Sequence, residues 1–163
     1  MKVTDIDWKT WQPEEVSTLM FVKVHKEVLL IHKKRGLGAG KINGPGGRVE
    51  HAESPMQCAI RETEEELNIT PKNVRSGGEL FFHSDDFPKT HGYVFTADSY
   101  AGSPTETDEA IPLWFPVNRI PYGQMWEDDK FWLPKVLGGA VVDGWFTFTG
   151  ETLLDHLVTI RQD

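Results

Sequence analysis

A single cysteine, Cys58, is present among 163 residues, so no intrachain disulfide can form. No stretch approaches the roughly 20 apolar residues that span a bilayer. The opening residues Met1–Trp8 carry one early lysine, then acids and no apolar run, which is not the pattern of a signal peptide. Together these absences lead to the expectation of a reducing cytoplasm and no membrane partner. Positive charge is also scarce: 17 Lys and Arg stand against 25 Asp and Glu, a formal net charge of −8. Holding duplex nucleic acid by phosphate neutralisation needs a basic face, so a nucleic-acid polymer is not an expected partner. An acidic protein that handles phosphates must instead recruit cations. Repeats, linkers and low-complexity tracts are missing too, and the length suits one domain with a real core.

What is present alternates between strand and helix signals. Residues 1–16, with Trp8, Trp11 and Pro13 among polar neighbours, read as an N-terminal arm ahead of a domain spanning 17–163. Apolar runs at Ser17–Val24 and Glu27–His32, broken at His25-Lys26, predict a hairpin. Arg35–Gly40 is a glycine-rich loop, and Gly44-Pro45-Gly46-Gly47 is a second turn cluster whose backbone can approach a ligand closely. Ser54 and Pro55 are an N-cap and first helical residue for a helix running to about Leu67. Met56, Ile60, Thr63 and Leu67 are expected to form its buried stripe. Further strands are expected at Glu79–His83, Gly92–Ala97, Leu113–Val117 and Val141–Phe148. A short helix at Lys130–Val136 and a final amphipathic helix, Glu151–Gln162, with Leu153, Leu154, Leu157 and Ile160 inward, complete the expectation. Such a mixture predicts an α/β fold with a mixed sheet between helices.

The helix after Ser54 carries the chemistry. Glu62, Glu65 and Glu66 fall within an arc of roughly 100° on its surface. Like charges so close raise one another's pKa and make little structural sense without a cation between them. Carboxylate oxygens with open positions suit Mg²⁺, with Mn²⁺ as a substitute. A bare run of glutamates would instead read as a solvated face with Arg61 paired to Glu65. Here the run follows Glu53 and a glycine turn at fixed distances, which favours function. His51 and Cys58 read as a surface turn residue and a small helix residue.

That spacing resembles the Nudix box, G-x5-E-x7-R-E-U-x-E-E-x-G-U, where U is apolar. Gly47, Glu53, Arg61, Glu62, Glu65, Glu66 and Ile69 match, while Thr63 replaces an apolar residue and Asn68 the glycine. Asn is the commonest substitute for glycine in the left-handed cap that ends a helix. The resemblance implies the Nudix fold and attack of water on a phosphoanhydride. It also implies that Glu62, Glu65, Glu66 and the carbonyl of Gly46 bind Mg²⁺, that Arg61 orients the glutamates, and that Glu53 supports the site.

Three more segments resemble the 8-oxo-dGTPase subgroup: Lys33–Gly44, Trp114-Phe115-Pro116 and Met125–Pro134. By that resemblance Asn43, Trp126, Asp128 and Asp129 bind the purine, Thr18, Leu37 and Phe81 line its pocket, and Lys33 contacts substrate. Glu109 would join the metal centre. An indole can stack on a purine while amide and carboxyl groups read its edge. Leu37 and Ile42 stand where aromatic residues are usual, and Pro45 follows Gly44, so the base pocket differs in shape. The expected activity is hydrolysis of oxidised purine nucleoside triphosphates to monophosphate and pyrophosphate by a monomer, with a homodimer as the alternative. Competing readings are a Nudix hydrolase of ADP-ribose or a dinucleoside polyphosphate, a nucleotide-binding module without turnover, and an acidic interaction domain.

Overall fold

The first hairpin forms on local chemistry. His25 and Lys26 sit at φ 52° and 68°, the two-residue turn whose twist matches that of paired strands. They join β1 (Glu15–Val24) to β2 (Glu27–Lys33), with Val24 opposite Glu27. The computed structural model describes residues 1–162. In it β3 (Ile42–Asn43) is followed by α1 (Pro55–Leu67), β4 (Ile69–Lys72), β5 (Arg75–Ser84), β6 (Thr90–Ala97) and β7 (Ser99–Gly102). Then come β8 (Ala110–Pro116), α2 (Asp129–Leu137), β9 (Val142–Thr149) and β10 (Thr152–Ile160).

The main sheet runs β10-β9-β5-β6-β1-β2-β3, with β8 also paired to β2. It is mixed, because β1 lies parallel to β6 and β5 parallel to β9. β4 and β7 form a separate two-stranded ribbon. Val28, Leu29, Leu30 and Ile31 of β2 are all buried, as expected for a strand covered on both faces. Alternation along β1 sends Met20 and Val22 toward α1 and Phe21 toward α2. Trp132 of α2 packs its ring edge-on to Phe21 at 5.8 Å. Each large apolar side chain buried this way stabilises the fold by about 1.5–3 kcal/mol, which fixes both helices against the sheet.

α1 begins and ends as its sequence dictates. The Ser54 hydroxyl accepts from the Gln57 amide at 3.1 Å, and the Gln57 side chain accepts from the Ser54 amide at 2.8 Å. Asn68 ends the helix at φ 61°. Its buried face is turned from the expected stripe, however. Thr63 and Leu67 are buried, but Met56 is exposed and Cys58, Ala59 and Glu66 are buried instead. The helix is wedged between the sheet and the glycine turn, and the Cys58 thiol, 3.2 Å from the Arg48 carbonyl, faces that turn.

The final segment is a strand, not the expected helix. β10 pairs antiparallel with β9, and the register shifts between Leu153 and Asp155. This bulge inserts one residue and breaks the period of two, so the leucines acquire a spacing that imitates a helix. Leu153 and Val158 reach the core, whereas Leu154, Leu157 and Ile160 remain exposed.

The N-terminal arm packs on the sheet face that carries Phe81. Trp8 and Trp11 meet Phe81 edge-on at 6.4 and 6.1 Å, and the Trp11 indole donates to His83 Nδ1 at 3.2 Å. Val3 is buried, its amide donating to Asp155 at 2.7 Å. Among the described residues no helix is long and apolar enough to cross a membrane.

Candidate active site

The Gly44–Gly47 turn lies against β1 and α1, held by the Thr18 amide donating to the Gly47 carbonyl at 2.9 Å and the Met20 amide to the Pro45 carbonyl at 2.8 Å. A Cβ at Gly46 would collide with the Thr18 carbonyl, and one at Gly47 with the Glu62 carboxyl. Only glycine permits this approach. α1 therefore delivers Glu62 and Glu66 beside the turn, and the segment before β8 brings Glu109 to the same point. One carboxylate oxygen from each of Glu62, Glu66 and Glu109 lies within 4.8 Å of the others.

Arg61 organises the rim. Its guanidinium grips Glu53 through two bonds, Nε to Oε2 at 2.6 Å and Nη2 to Oε1 at 3.0 Å, and donates from Nη1 to Glu62 Oε1 at 2.9 Å. This paired fork holds the Glu53 carboxyl down to about 2. Glu65 also accepts from Arg61, at 3.2 Å, but its side chain is 54% exposed. Its carboxyl shares Arg61 Nη1 with Glu62 and stands on the solvent side of the cluster. Glu66 is the reverse case: expected on an exposed arc, it is only 5% exposed. Burial, then the charge of Glu62, pushes its pKa up to about 8, against the amide of Gly46, which donates to it. Glu62 is raised as well, chiefly by burial.

Three clustered carboxyls, two of them held up by desolvation and mutual repulsion, fit a divalent cation with hard oxygen ligands. The sign of the pH dependence follows. In the unfolded chain Glu66 ionises near 4.5, whereas in the metal-free fold it keeps its proton to about 8. Its stabilising contribution is complete below the first value and lost as pH rises through the second. The midpoint of thermal unfolding of metal-free protein is expected to fall by several degrees from about pH 5 to about pH 8, each kcal/mol being worth about 2–4 °C at this size. Saturating Mg²⁺, by favouring the ionised cluster, should restore Glu66's share. A midpoint that rises across that window in the metal-free protein contradicts the placement of Glu66.

From the glutamates a cavity of about 630 Å³ runs across the end of the sheet. Near Gly46, Glu66 and Glu109 its wall is polar, and Lys33, Thr18, Leu37, Asn43, Trp126, Asp128 and Asp129 also line it. Lys33 Nζ donates to the Leu37 carbonyl at 2.6 Å. Trp126 is set edge-to-face with Phe87 at 6.0 Å and Phe148 at 6.1 Å, with Lys41 Nζ 5.2 Å from its ring centre. Asp128 and Asp129 are buried, and Asp128 accepts from the Trp132 indole at 2.8 Å. Burial raises both carboxyls. Asp129 is raised further because the Asp128 charge opposes its ionisation.

Phe81, expected in this cavity, is not there. It lies on the opposite face, stacked between His91 at 4.6 Å and Trp145 at 5.8 Å beneath the arm. Adjacent residues of a strand point to opposite faces, so Phe82 lines the cavity instead, with Phe87 and Phe148. The parity of β5, set by Leu80 in the core, was the signal that separates Phe82 from Phe81.

A carboxylate cluster with Glu66 buried, two of its members on a helix packed against a glycine turn, beside a cavity of this volume, defines the class. The pattern of the NUDIX domain matches residues 12–136, and the chain belongs to that family. An oxidized purine nucleoside triphosphate hydrolase of Danio rerio is 40% identical to it over 150 residues, covering 90% of this chain and 95% of that protein. One of Mus musculus is 36% identical over 141 residues, covering 85% and 90%. Among solved structures, the MutT protein of Bacillus halodurans superposes with a TM-score of 0.77 over 88% of this chain and 97% of its own, at 26% identity.

Proposed function

We propose that this Nudix hydrolase cleaves oxidised purine nucleoside triphosphates to the monophosphate and pyrophosphate with Mg²⁺, cleaning a cytoplasmic nucleotide pool. The observation that carries the reading is the cavity itself, which has a buried Asp128–Asp129 pair beside Trp126 and the Glu62–Glu66–Glu109 cluster at its polar end. The purine lies against Trp126 with its edge toward Asn43, Asp128 and Asp129, and Thr18, Leu37 and Phe82 close around it. Lys33 faces the phosphates. Glu62, Glu66 and Glu109 would hold the cation, Mg²⁺ or Mn²⁺, with the carbonyl of Gly46 as a further ligand. Glu53 and Arg61 position Glu62, and Glu65 acts through Arg61. A cation held there would supply charge neutralisation for the phosphates and a water of lowered pKa. The proton of the attacking water passes to a carboxylate of the cluster. The substrate is a small nucleotide, the acting unit is a monomer, and neither a nucleic-acid polymer nor a membrane takes part.

The resemblance to the 8-oxo-dGTPase subgroup supports attack at the α-phosphorus. In ¹⁸O-water the label is expected in the monophosphate, with pyrophosphate unlabelled. Label in pyrophosphate, or release of orthophosphate and diphosphate, contradicts this arrangement. A panel of oxidised and ordinary triphosphates, ADP-ribose and dinucleoside polyphosphates tests the substrate class directly.

A further inference from the structure

Two short segments meet beside the cavity, the glycine-rich loop after β2 and the residues leading into β8. Lys34 ties them together: its amide donates to the Glu109 carbonyl at 2.9 Å, and its ammonium donates to the Thr107 carbonyl at 2.8 Å and pairs with Glu106. The next residue, Arg35, does something different. Its Nη2 lies 3.2 Å from Glu109 Oε1, so it holds the carboxyl group that also belongs to the glutamate cluster. Arg35 is 65% exposed and lines the cavity together with Lys33. The loop that carries it has Gly36, Gly38 and Gly40 all at positive φ, between 81° and 88°, so the backbone follows a path that only glycines take without strain.

Glu109 cannot serve both partners equally. A dication among Glu62, Glu66 and Glu109 would sit next to the guanidinium and repel it, and an exposed ion pair is weak enough to be given up at little cost. A guanidinium released there has triphosphate oxygens within reach, which its planar fork recognises better than an ammonium does. Resting on the triphosphatase reading above, we propose that Arg35 is a substrate-positioning residue that caps Glu109 in the empty site and transfers to the polyphosphate when a metal takes that carboxylate. Metal and triphosphate binding are then coupled through one side chain.

The proposal gives opposite signs for two measurements on Arg35→Gln. In nucleotide-free protein, Mn²⁺ titrated by electron paramagnetic resonance is expected to bind more tightly, by roughly 1.5- to 5-fold, because an exposed competitor for Glu109 is gone. With 8-oxo-dGTP, KM is expected to rise about ten-fold, the lower end for a lost charged hydrogen bond, while kcat falls less than KM rises. Inhibition by the monophosphate product, which lacks the β- and γ-phosphates, should change less than KM. Arg35→Lys should recover part of the KM but not the bidentate share. A merely structural Arg35 would weaken Mn²⁺ binding and raise KM together. The Mn²⁺ titration needs no turnover, so weaker or unchanged affinity in Arg35→Gln overturns the assignment whatever the substrate. Unchanged KM in an active enzyme overturns it equally. Failure of the wild-type protein to hydrolyse any nucleotide would overturn the triphosphatase reading instead.

Discussion

Glu66→Gln is expected to lower kcat by about three orders of magnitude while leaving the protein folded. Removing one preorganised charge from a reacting centre typically costs 10²- to 10³-fold, and loss of a metal-activated water adds to that. Glutamine is close in shape and keeps an oxygen for the Gly46 amide, so the fold has little to lose. It has something to gain when metal is absent, because Glu66 is nearly fully buried and burial resists its ionisation. The variant should therefore match or exceed wild-type unfolding temperature without metal at about pH 8, and should lose most of the stabilisation that Mg²⁺ confers. Glu65→Gln, at an exposed position whose side-chain hydrogen bonds among the described residues go to Arg61, should cost distinctly less. Wild-type turnover in Glu66→Gln at saturating Mg²⁺ would remove α1 from the catalytic centre, and equal losses at Glu65 and Glu66 would contradict the rim position of Glu65.

Asp128→Asn and Asp129→Asn are expected to change which oxidised base the enzyme prefers, each by about 1–3 kcal/mol in kcat/KM, the range for a buried hydrogen bond left without its partner. Burial raises both carboxyls, and the charge of Asp128 opposes ionisation of Asp129, which favours a proton held on the pair. A protonated carboxyl donates and an ionised one accepts. The pair therefore offers a purine edge one donor and one acceptor, and moving the proton exchanges them. Asparagine fixes a donor and an acceptor permanently and removes that exchange. The measurement is kcat/KM for 8-oxo-dGTP, 2-hydroxy-dATP and dGTP in wild type and both variants, from about pH 6 to 9, which brackets a raised carboxyl. Because both pKa values are raised, activity that depends on the shared proton should decline toward the alkaline end. Nucleotide-free Mn²⁺ affinity should be unaffected, since neither aspartate belongs to the glutamate cluster. Ratios among the three substrates that survive both substitutions would assign the aspartates a structural role, Asp128 holding the Trp132 indole in the core.

The parts of this protein legible in the chain are those set by neighbours in sequence. The turn at His25-Lys26, the Ser54–Gln57 capping box, the Asn68 cap and the offsets from Gly47 through Glu66 all follow from backbone geometry over a few residues. The family and its mixed sheet between helices were legible for the same reason, through a motif whose spacing is fixed by one turn and one helix. Glu109 could be named only through resemblance, because nothing local joins it to α1. Errors arose wherever a side chain had to be assigned a side. A bulge near Leu154 made a strand look helical, the parity of β5 exchanged Phe81 for Phe82, and the wedge of α1 between sheet and glycine turn buried Glu66 while exposing Glu65 and Met56.

The sequence by itself thus determined the acidic helix and the glycine turn that must approach it, since each is a short-range pattern of charge, volume and backbone freedom. Only the tertiary structure decided that Glu62, Glu66 and Glu109 converge, that Asp128 and Asp129 are buried, and that Arg35 pairs with Glu109. Those outcomes depend on desolvation and on distances across strands far apart in the chain, and both exist only once the sheet has closed against its two helices.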